Sequence, residues 1–243
     1  MFVPYVCCGD PDLEFTHEMV KILSRHADVI ELGIPFSDPL ADGPIIQQAS
    51  FHALQNGITP QMCLEIAAQL RTKVKIPLTF MTYINPVFKY GLEKFCHACS
   101  TSDIQGLIVP DLPPEEGREL ENITQKHGID LVYLLTPAST EDRINLVAGR
   151  SRGFIYLVSV TGVTGARKDL PSELNQFVAR VKQVAKLPLF VGFGISTAEQ
   201  AKKATEIADG VIVGSRIIQL MESDKSLRQV DRFIRELRTA LDK

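Results

Sequence analysis

Residues 2–26, FVPYVCCGDPDLEFTHEMVKILSRH, contain the first strand–helix unit of the chain. The apolar, β-rich run at residues 2–8 predicts a buried strand, and the segment after it has Leu13, Val20 and Leu23 on one helical face. The turn between them, CCGDPD, lacks the G-x-G-x-x-G pattern that follows the first strand of a dinucleotide-binding sheet. This unit predicts a strand followed by a helix that packs back onto it.

The same alternation of strand and helix continues to the end of the chain. Eight apolar runs predict strands, at residues 2–8, 28–33, 78–83, 106–111, 131–136, 154–160, 187–193 and 210–215. Such alternation implies parallel strands joined by right-handed crossovers. Eight units in this length predict an α/β protein, a (β/α)₈ TIM barrel that forms a single domain over residues 1–243. An open doubly wound sheet, which usually has fewer strands, is the alternative.

Composition excludes several classes of function. The chain has 243 residues, 23% of them charged, and a formal net charge of −3, which gives no basic footprint for nucleic acid or an anionic membrane. No stretch approaches the roughly 20 apolar residues of a membrane span. The first residues, MFVPYVCCGDPD, do not have the pattern of a secretory signal.

The cysteines indicate a reducing compartment. They are odd in number and their spacing suggests no disulfide framework: Cys7, Cys8, Cys63, Cys96 and Cys99. Cys96 and Cys99 form a lone C-x-x-C within a predicted helix, so we expect ordinary helix packing there. Reduced thiols favour a cytoplasmic location, or an organelle stroma if a transit peptide has been removed.

Glu31 is a carboxyl group inside the apolar strand ADVIELG. Its side chain should point to the same side as Val29 and Gly33. An unpaired carboxylate there is costly, and the predicted strands contain no Lys or Arg, although an ion pair with a neighbouring strand is the structural alternative. Desolvation should raise its pKa, which suits a group that both donates and accepts a proton.

The connection after this strand is long, and residues 35–44 within it contain three prolines. Such a loop on the C-terminal face of a barrel is where its chemistry is expected. Asp42, before Gly43, is either a turn former or a second carboxylate that divides acid and base work with Glu31. Asp38 and Asp111 are interpreted as turn or supporting residues.

The last two predicted strands end in GFGISTAEQ and VGSRIIQ. Gly194, Gly214 and Ser215 would allow backbone N–H groups to approach a phosphate, while Ser196 and Glu199 have the spacing of a capping box. The alternative is tight turns alone.

The glycine-rich stretch 162–169 predicts a mobile lid, with a plain connector as the alternative. Aromatic residues at strand ends predict a flat apolar pocket: Tyr5, Tyr83, Tyr156 and Phe193.

Five stretches, ELGIPFSDPLADGPIIQ, MTYINPV, YLVSVTGVTGA, VGFGIS and VGS, occur in an order that resembles the tryptophan synthase α-subunit family over essentially the whole chain. The resemblance implies a lyase that cleaves indole-3-glycerol phosphate to indole and glyceraldehyde 3-phosphate by a retro-aldol step. It implies no cofactor or metal in this chain. Indole would pass to a PLP-dependent β-subunit in an α₂β₂ assembly. Two departures are Val160, where the family often has arginine, and Arg216, where it has a small residue.

The resemblance also implies residue roles. Glu31 corresponds to the proton shuttle, Asp42 to the acceptor of the indole N–H, and Thr164 to a lid residue that contacts the aspartate. Residues that correspond to phosphate contacts are Gly165, Gly194, Ile195, Gly214 and Ser215. Residues that correspond to the indole pocket are Tyr5, Met81, Tyr83, Ile108, Leu134, Tyr156 and Phe193. The family's helix before the first strand, which covers the bottom of the barrel, is not found ahead of residue 2.

Three other functions stay open at this stage. A free-standing indole-3-glycerol phosphate lyase would share the site but need no β-subunit. Another phosphate-binding barrel, such as a sugar-phosphate isomerase, would lack the long proline-rich loop. A catalytically silent regulatory partner of a PLP enzyme would have no use for Glu31 and Asp42.

Overall fold

One parallel sheet forms the centre of the computed structural model, which describes residues 1–158, 172–192 and 194–242. Its strands are β1 (Phe2–Cys7), β2 (Ile30–Gly33), β3 (Leu78–Met81), β4 (Ile104–Ile108), β5 (Asp130–Val132), β6 (Leu134–Leu135), β7 (Ile155–Val158), β8 (Leu189–Gly192) and β9 (Gly210–Val213). The order β5-β4-β3-β2-β1-β9-β8-β7-β6 puts the first and last strands side by side. The sheet therefore has the barrel topology that the sequence predicts, rather than that of an open doubly wound sheet.

The predicted fifth strand, residues 131–136, is present as the two segments β5 and β6. The interruption falls at Tyr133, whose N–H donates to the Ser151 hydroxyl (3.1 Å) instead of to a strand. The Tyr133 carbonyl still accepts from the Tyr156 N–H (3.1 Å), so the sheet continues across the break. The barrel has eight strand positions, one of which is divided.

Several predicted strands end earlier than expected. The run 78–83 stops at Met81, because Tyr83 already caps the next helix. The run 106–111 is displaced toward its N-terminus and occupies Ile104–Ile108. In both cases the polar or turn-forming residues that follow the strand belong to the loops at its C-terminal end.

Eleven helices are described around the barrel. They are α1 (Leu13–Leu23), α2 (Pro44–Gln55), α3 (Pro60–Arg71), α4 (Ile84–Tyr90), α5 (Leu92–Thr101), α6 (Arg118–Lys126), α7 (Glu141–Arg150), α8 (Ser172–Lys182), α9 (Ala198–Ile207), α10 (Ser215–Ser223) and α11 (Arg228–Leu241). No helix in these ranges is long and apolar enough to cross a membrane. Cys96 and Cys99 are fully buried on α5, which agrees with packing as their role.

Two helices were not foreseen. The long connection after β2 contains α2, which begins with Pro44 in its first turn, a position where the missing N–H of proline has no intrahelical partner to lose. Helix α4 follows β3 directly. Both helices belong to connections that leave the C-terminal ends of strands, α2 after β2 and α4 after β3.

The capping box of α9 is shifted by one residue from the predicted pair, Ser196 and Glu199. Thr197 is the N-cap, and its hydroxyl accepts from the Gln200 N–H at 3.2 Å. The Gln200 side-chain oxygen accepts in return from the N–H groups of Thr197 (3.2 Å) and Ser196 (2.8 Å). The amide of Gln200 therefore does what was expected of Glu199.

The barrel interior is closed by an apolar layer that we call the barrel floor. It consists of six buried residues, five of them on strands and Phe154 directly before β7: Val3, Ile108, Val132, Phe154, Phe190 and Ile212. The rings of Phe154 and Phe190 are stacked with centroids 4.5 Å apart. A second, larger apolar layer fills the space between the strands and the surrounding helices.

Candidate active site

Glu31 lies on β2 between Tyr5 of β1 and Thr79 of β3, its register partners on the two sides. It is 1% exposed, and neither carboxyl oxygen has a hydrogen-bond partner among the described residues. The ion pair considered as the structural alternative is therefore not formed within these residues. Burial, together with the nearby charge of Asp42, raises the pKa of Glu31 to about 8. The carboxyl group is mainly protonated at neutral pH and can also lose its proton there.

Asp42 reaches the same site from the loop before α2. The Tyr83 hydroxyl donates to its Oδ2 at 3.0 Å and accepts from the Ala41 N–H at 3.0 Å. Burial raises the pKa of Asp42 to about 6, while the hydrogen bond from Tyr83 lowers it. At neutral pH Asp42 is mainly ionised, so the two carboxyl groups carry different charges.

Tyr83 is held from two sides. Its ring stacks on Phe36 with centroids 5.2 Å apart, and it is the N-cap residue of α4. Asp111, at the end of the next strand position, accepts from the Ile84 N–H at 2.9 Å. Asp111 therefore supports the helix that follows Tyr83, in agreement with its expected role as a supporting residue.

Two further tyrosines, buried Tyr5 and partly buried Tyr156, lie beside the carboxyl groups. The pKa of Tyr5 is raised well above its ordinary value by burial and then by neighbouring groups that include Asp42 and Glu31. The pKa of Tyr156 is raised by burial, Glu31 and Asp42, in that order. Both phenols are therefore neutral groups beside the carboxyl groups. We call the set Tyr5, Glu31, Asp42, Tyr83 and Tyr156 the barrel mouth.

Two glycines make room for these tyrosines. A Cβ atom on Gly33 would lie 2.0 Å from the Tyr5 hydroxyl oxygen, and one on Gly192 would lie 2.6 Å from the Tyr156 ring. In the sequence, Gly33 serves only to orient Glu31, and Gly192 is not assigned a role. The available signal was a glycine inside an apolar strand, which often marks a close approach by another group.

The apolar part of the site rests on the barrel floor. Met81, Leu134 and Tyr156 are partly buried and pack against it, and Ile108 belongs to it. These four residues were all assigned to an indole pocket by resemblance, and the fold places them in one continuous cluster.

The candidate phosphate residues follow the adjacent strands β8 and β9. Gly194 is exposed with φ +76°, a conformation that favours glycine, and Ile195 is buried. Gly214 is the N-cap of α10, and Ser215 is the first residue of that helix. A Cβ atom on Gly214 would lie 3.3 Å from the Tyr5 Cβ, so this helix N-terminus adjoins the mouth.

Five expectations lie outside the described residues. They concern the lid at residues 162–169, its residue Thr164, the phosphate residue Gly165, the pocket residue Phe193 and the departure at Val160. Arg216, the other departure, is half-buried in the first turn of α10.

Comparisons with known proteins give one consistent family. The family model described as tryptophan synthase alpha chain matches residues 1–241. The tryptophan synthase alpha chain of Dehalococcoides mccartyi is 54% identical over 241 residues, which cover 99% of this chain and 94% of that protein.

Solved structures agree. The chain is similar to tryptophan synthase subunit alpha from Legionella pneumophila, with TM-score 0.92 and 36% identity over 100% of this chain and 92% of that one. It is also similar to a chain in the structure of Mycobacterium tuberculosis tryptophan synthase, with TM-score 0.92 and 33% identity over 99% and 91% of the two chains.

Proposed function

The chain belongs to the tryptophan synthase alpha chain family, and from this premise we propose that its barrel mouth cleaves indole-3-glycerol phosphate to indole and glyceraldehyde 3-phosphate. The observation that carries the proposal is the pair Glu31 and Asp42, two carboxyl groups that share one site with raised pKa values of about 8 and about 6. We also propose that residues 1–243 form one domain, since helix α11 packs on α9 and α10 beside the sheet.

Glu31 is the proposed proton shuttle. Its protonated carboxyl group gives a proton to indole C3, which makes the ring an electron sink. The resulting carboxylate accepts the proton of the glycerol hydroxyl on the carbon attached to C3. The bond between that carbon and C3 breaks, its electron pair returns to the indole ring, and the carbon becomes the aldehyde of glyceraldehyde 3-phosphate. A pKa close to neutral pH allows both transfers by one group.

Asp42 is the proposed partner of the indole N–H. Protonation at C3 puts positive charge on the ring nitrogen, and an ionised carboxylate fixed beside it stabilises that charge more than the neutral ground state. The hydrogen bond from Tyr83 favours the ionised form and orients the carboxylate.

The remaining contacts are proposed from the resemblance, and the positions of the described residues support several of them. The indole ring would lie on the cluster of Met81, Ile108, Leu134 and Tyr156, with Tyr5 and Tyr83 at its edge and Phe193 as a further contact. The phosphate would bind to backbone N–H groups at Gly194, Ile195, Gly214 and Ser215, where the first turn of α10 leaves N–H groups without intrahelical partners. Gly165 and the lid residue Thr164 stay part of the proposal.

The proposed partner is a PLP-dependent β-subunit in an α₂β₂ assembly, and PLP would belong to that subunit. Support comes from apolar side chains exposed near the mouth, Leu40 (90% exposed) before Asp42 and Phe88 on α4. They adjoin residues 35–38 and 85–86, where we expect the β-subunit to dock.

Five free buried cysteines support a cytoplasmic location.

The test is release of indole from indole-3-glycerol phosphate, measured with and without a β-subunit. We expect indole and glyceraldehyde 3-phosphate in equal amounts, with a strong increase when the β-subunit is added. Equal activity of the isolated chain would identify a free-standing lyase instead, and no cleavage in either condition would overturn the proposal.

A further inference from the structure

Three potential metal-binding side chains from separate elements meet at one surface cavity outside the barrel mouth. Asp10 follows β1, His52 lies on α2 and Glu222 lies on α10, and one donor atom from each is within 4.8 Å of the other two. The cavity has a volume of about 400 Å³ and is open to solvent. None of the three residues has a role in the proposed cleavage reaction.

Asp10 is the residue that shows an incomplete site. Its side chain is only 4% exposed, and its buried Oδ2 has no hydrogen-bond partner among the described residues. Its Oδ1 lies 3.5 Å from the His52 Nδ1, at the long limit for a hydrogen bond. A buried carboxylate is normally paired with a cation or fully hydrogen-bonded, so the unpartnered Oδ2 points to a place for a further cation.

We propose that Asp10, His52 and Glu222 bind one divalent transition-metal ion of the zinc type. Two ligands at about 2.0–2.1 Å from a tetrahedral zinc are roughly 3.3 Å apart, close to the separation of the Asp10 and His52 donor atoms. Glu222 is exposed and is free to approach the ion, and water would complete the coordination.

The ligand chemistry selects among cations. Imidazole nitrogen favours zinc and its neighbours over Mg²⁺ and Ca²⁺, which prefer oxygen ligands. Two carboxylates and a neutral imidazole also balance the charge of the ion. The bound ion would join the β1–α1 loop to α2 and α10, and so stabilise the fold.

Lys225 in the same cavity opposes binding. Its ammonium group lies 5.5 Å from the centre of the Phe15 ring and close enough to Asp10 to influence it. Replacing Lys225 with Met removes this positive charge, so we expect metal affinity to increase in that variant.

The experiment is titration of the full chain, freed of metal, with Co²⁺ and then with Zn²⁺ as competitor. We expect one Co²⁺ per chain with a visible ligand-field absorption, displacement by Zn²⁺ and no displacement by equal Mg²⁺. Saturating Zn²⁺ should also raise the melting temperature, because the folded state alone forms the site.

Variants assign the ligands. Glu222→Gln is at an exposed position and should fold normally, yet lose affinity by at least about tenfold. His52→Gln should abolish the absorption. The matched control is His127→Gln, since His127 also pairs with a carboxylate, Glu93 at 3.0 Å, but does not line this cavity, and its loss should leave Co²⁺ binding unchanged. The proposal would be overturned if the chain does not bind one Co²⁺. It would also be overturned if Glu222→Gln and His52→Gln, each tested alone, both bind Co²⁺ as the natural protein does.

Discussion

The barrel floor and the barrel mouth meet on two strand positions, where Val3 and Phe154 of the floor are two residues before Tyr5 and Tyr156 of the mouth, yet the two sets differ in polarity and charge. The floor contains only apolar side chains, closely packed and without an unpaired polar atom. The mouth contains two carboxyl groups with raised pKa values, and neither oxygen of Glu31 has a hydrogen-bond partner in the part of the chain that the structure describes. The floor therefore contributes stability, while the mouth keeps an unfavourable arrangement of carboxyl groups that the proposed reaction would use.

The largest effect on the rate of indole release should follow from removing the carboxyl proton of Glu31. Glu31→Gln keeps the shape and removes proton transfer, so indole release should fall by about 10²–10⁴-fold. The rate is measured with the β-subunit present. Glu93→Gln, at an exposed position on α5, is the control and should retain full activity. Near-normal turnover of a folded Glu31→Gln protein would remove Glu31 from the mechanism.

A substitution in the barrel floor should lower the free energy of unfolding. Phe190→Ala removes a buried ring that stacks on Phe154, so the free energy of unfolding should fall by about 3–5 kcal/mol. Phe51→Ala, the same change at an exposed position, should stay within about 0.5 kcal/mol. Urea unfolding measures both. A loss in Phe190→Ala no larger than in Phe51→Ala would contradict the assignment of stability to the floor.

Asp42 should affect rate rather than substrate binding. Asp42→Asn removes the charge that stabilises the protonated indole, so kcat should fall by about 10²–10³-fold while KM changes little. Asp142→Asn, on the exposed first turn of α7, serves as control. A change confined to KM would make Asp42 a binding residue only.

The smallest of these effects tests how the hydrogen bond from Tyr83 changes the pKa of Asp42. Tyr83→Phe removes the donor that lowers the pKa of Asp42, so that pKa should rise above its value of about 6. Activity on the acidic side should then be lost at higher pH than in the natural protein, with a decrease in kcat of roughly fivefold for a hydrogen bond of about 1 kcal/mol. Tyr133→Phe, whose hydroxyl contacts Glu121 instead, should leave the pH profile unchanged. An unshifted profile for Tyr83→Phe would separate Tyr83 from Asp42.

Sequence patterns were sufficient to predict the barrel and the buried position of the Glu31 carboxyl group. Alternating apolar strands and amphipathic helices specify the topology through burial alone, and an acidic residue inside an apolar run is visible without coordinates. The resemblance supplied the role of Asp42, which residue patterns alone left between turn former and carboxylate partner.

The remaining features depend on contacts between distant residues. The hydrogen bond to Asp42 comes from Tyr83, 41 residues later, and the break in the fifth strand depends on Ser151, 18 residues after Tyr133. The need for glycine at Gly192 becomes visible only when the Tyr156 ring is in place. The shift of the capping box to Thr197 and Gln200 shows that local spacing allowed two registers that differ by one residue.

The most direct test of the raised pKa of Glu31 is the difference in unfolding free energy between Glu31→Gln and the natural protein as a function of pH. A carboxyl group with pKa about 8 when folded and about 4.5 when unfolded retains its proton better in the folded state, so stability is lost as pH rises between these values. The glutamine variant has no such proton. Its stability relative to the natural protein should therefore be constant below pH 4.5, increase by about 1.4 kcal/mol per pH unit up to about pH 8, and then level off. A difference that does not change with pH over this range would show that Glu31 is an ordinary ionised carboxylate and would contradict the account.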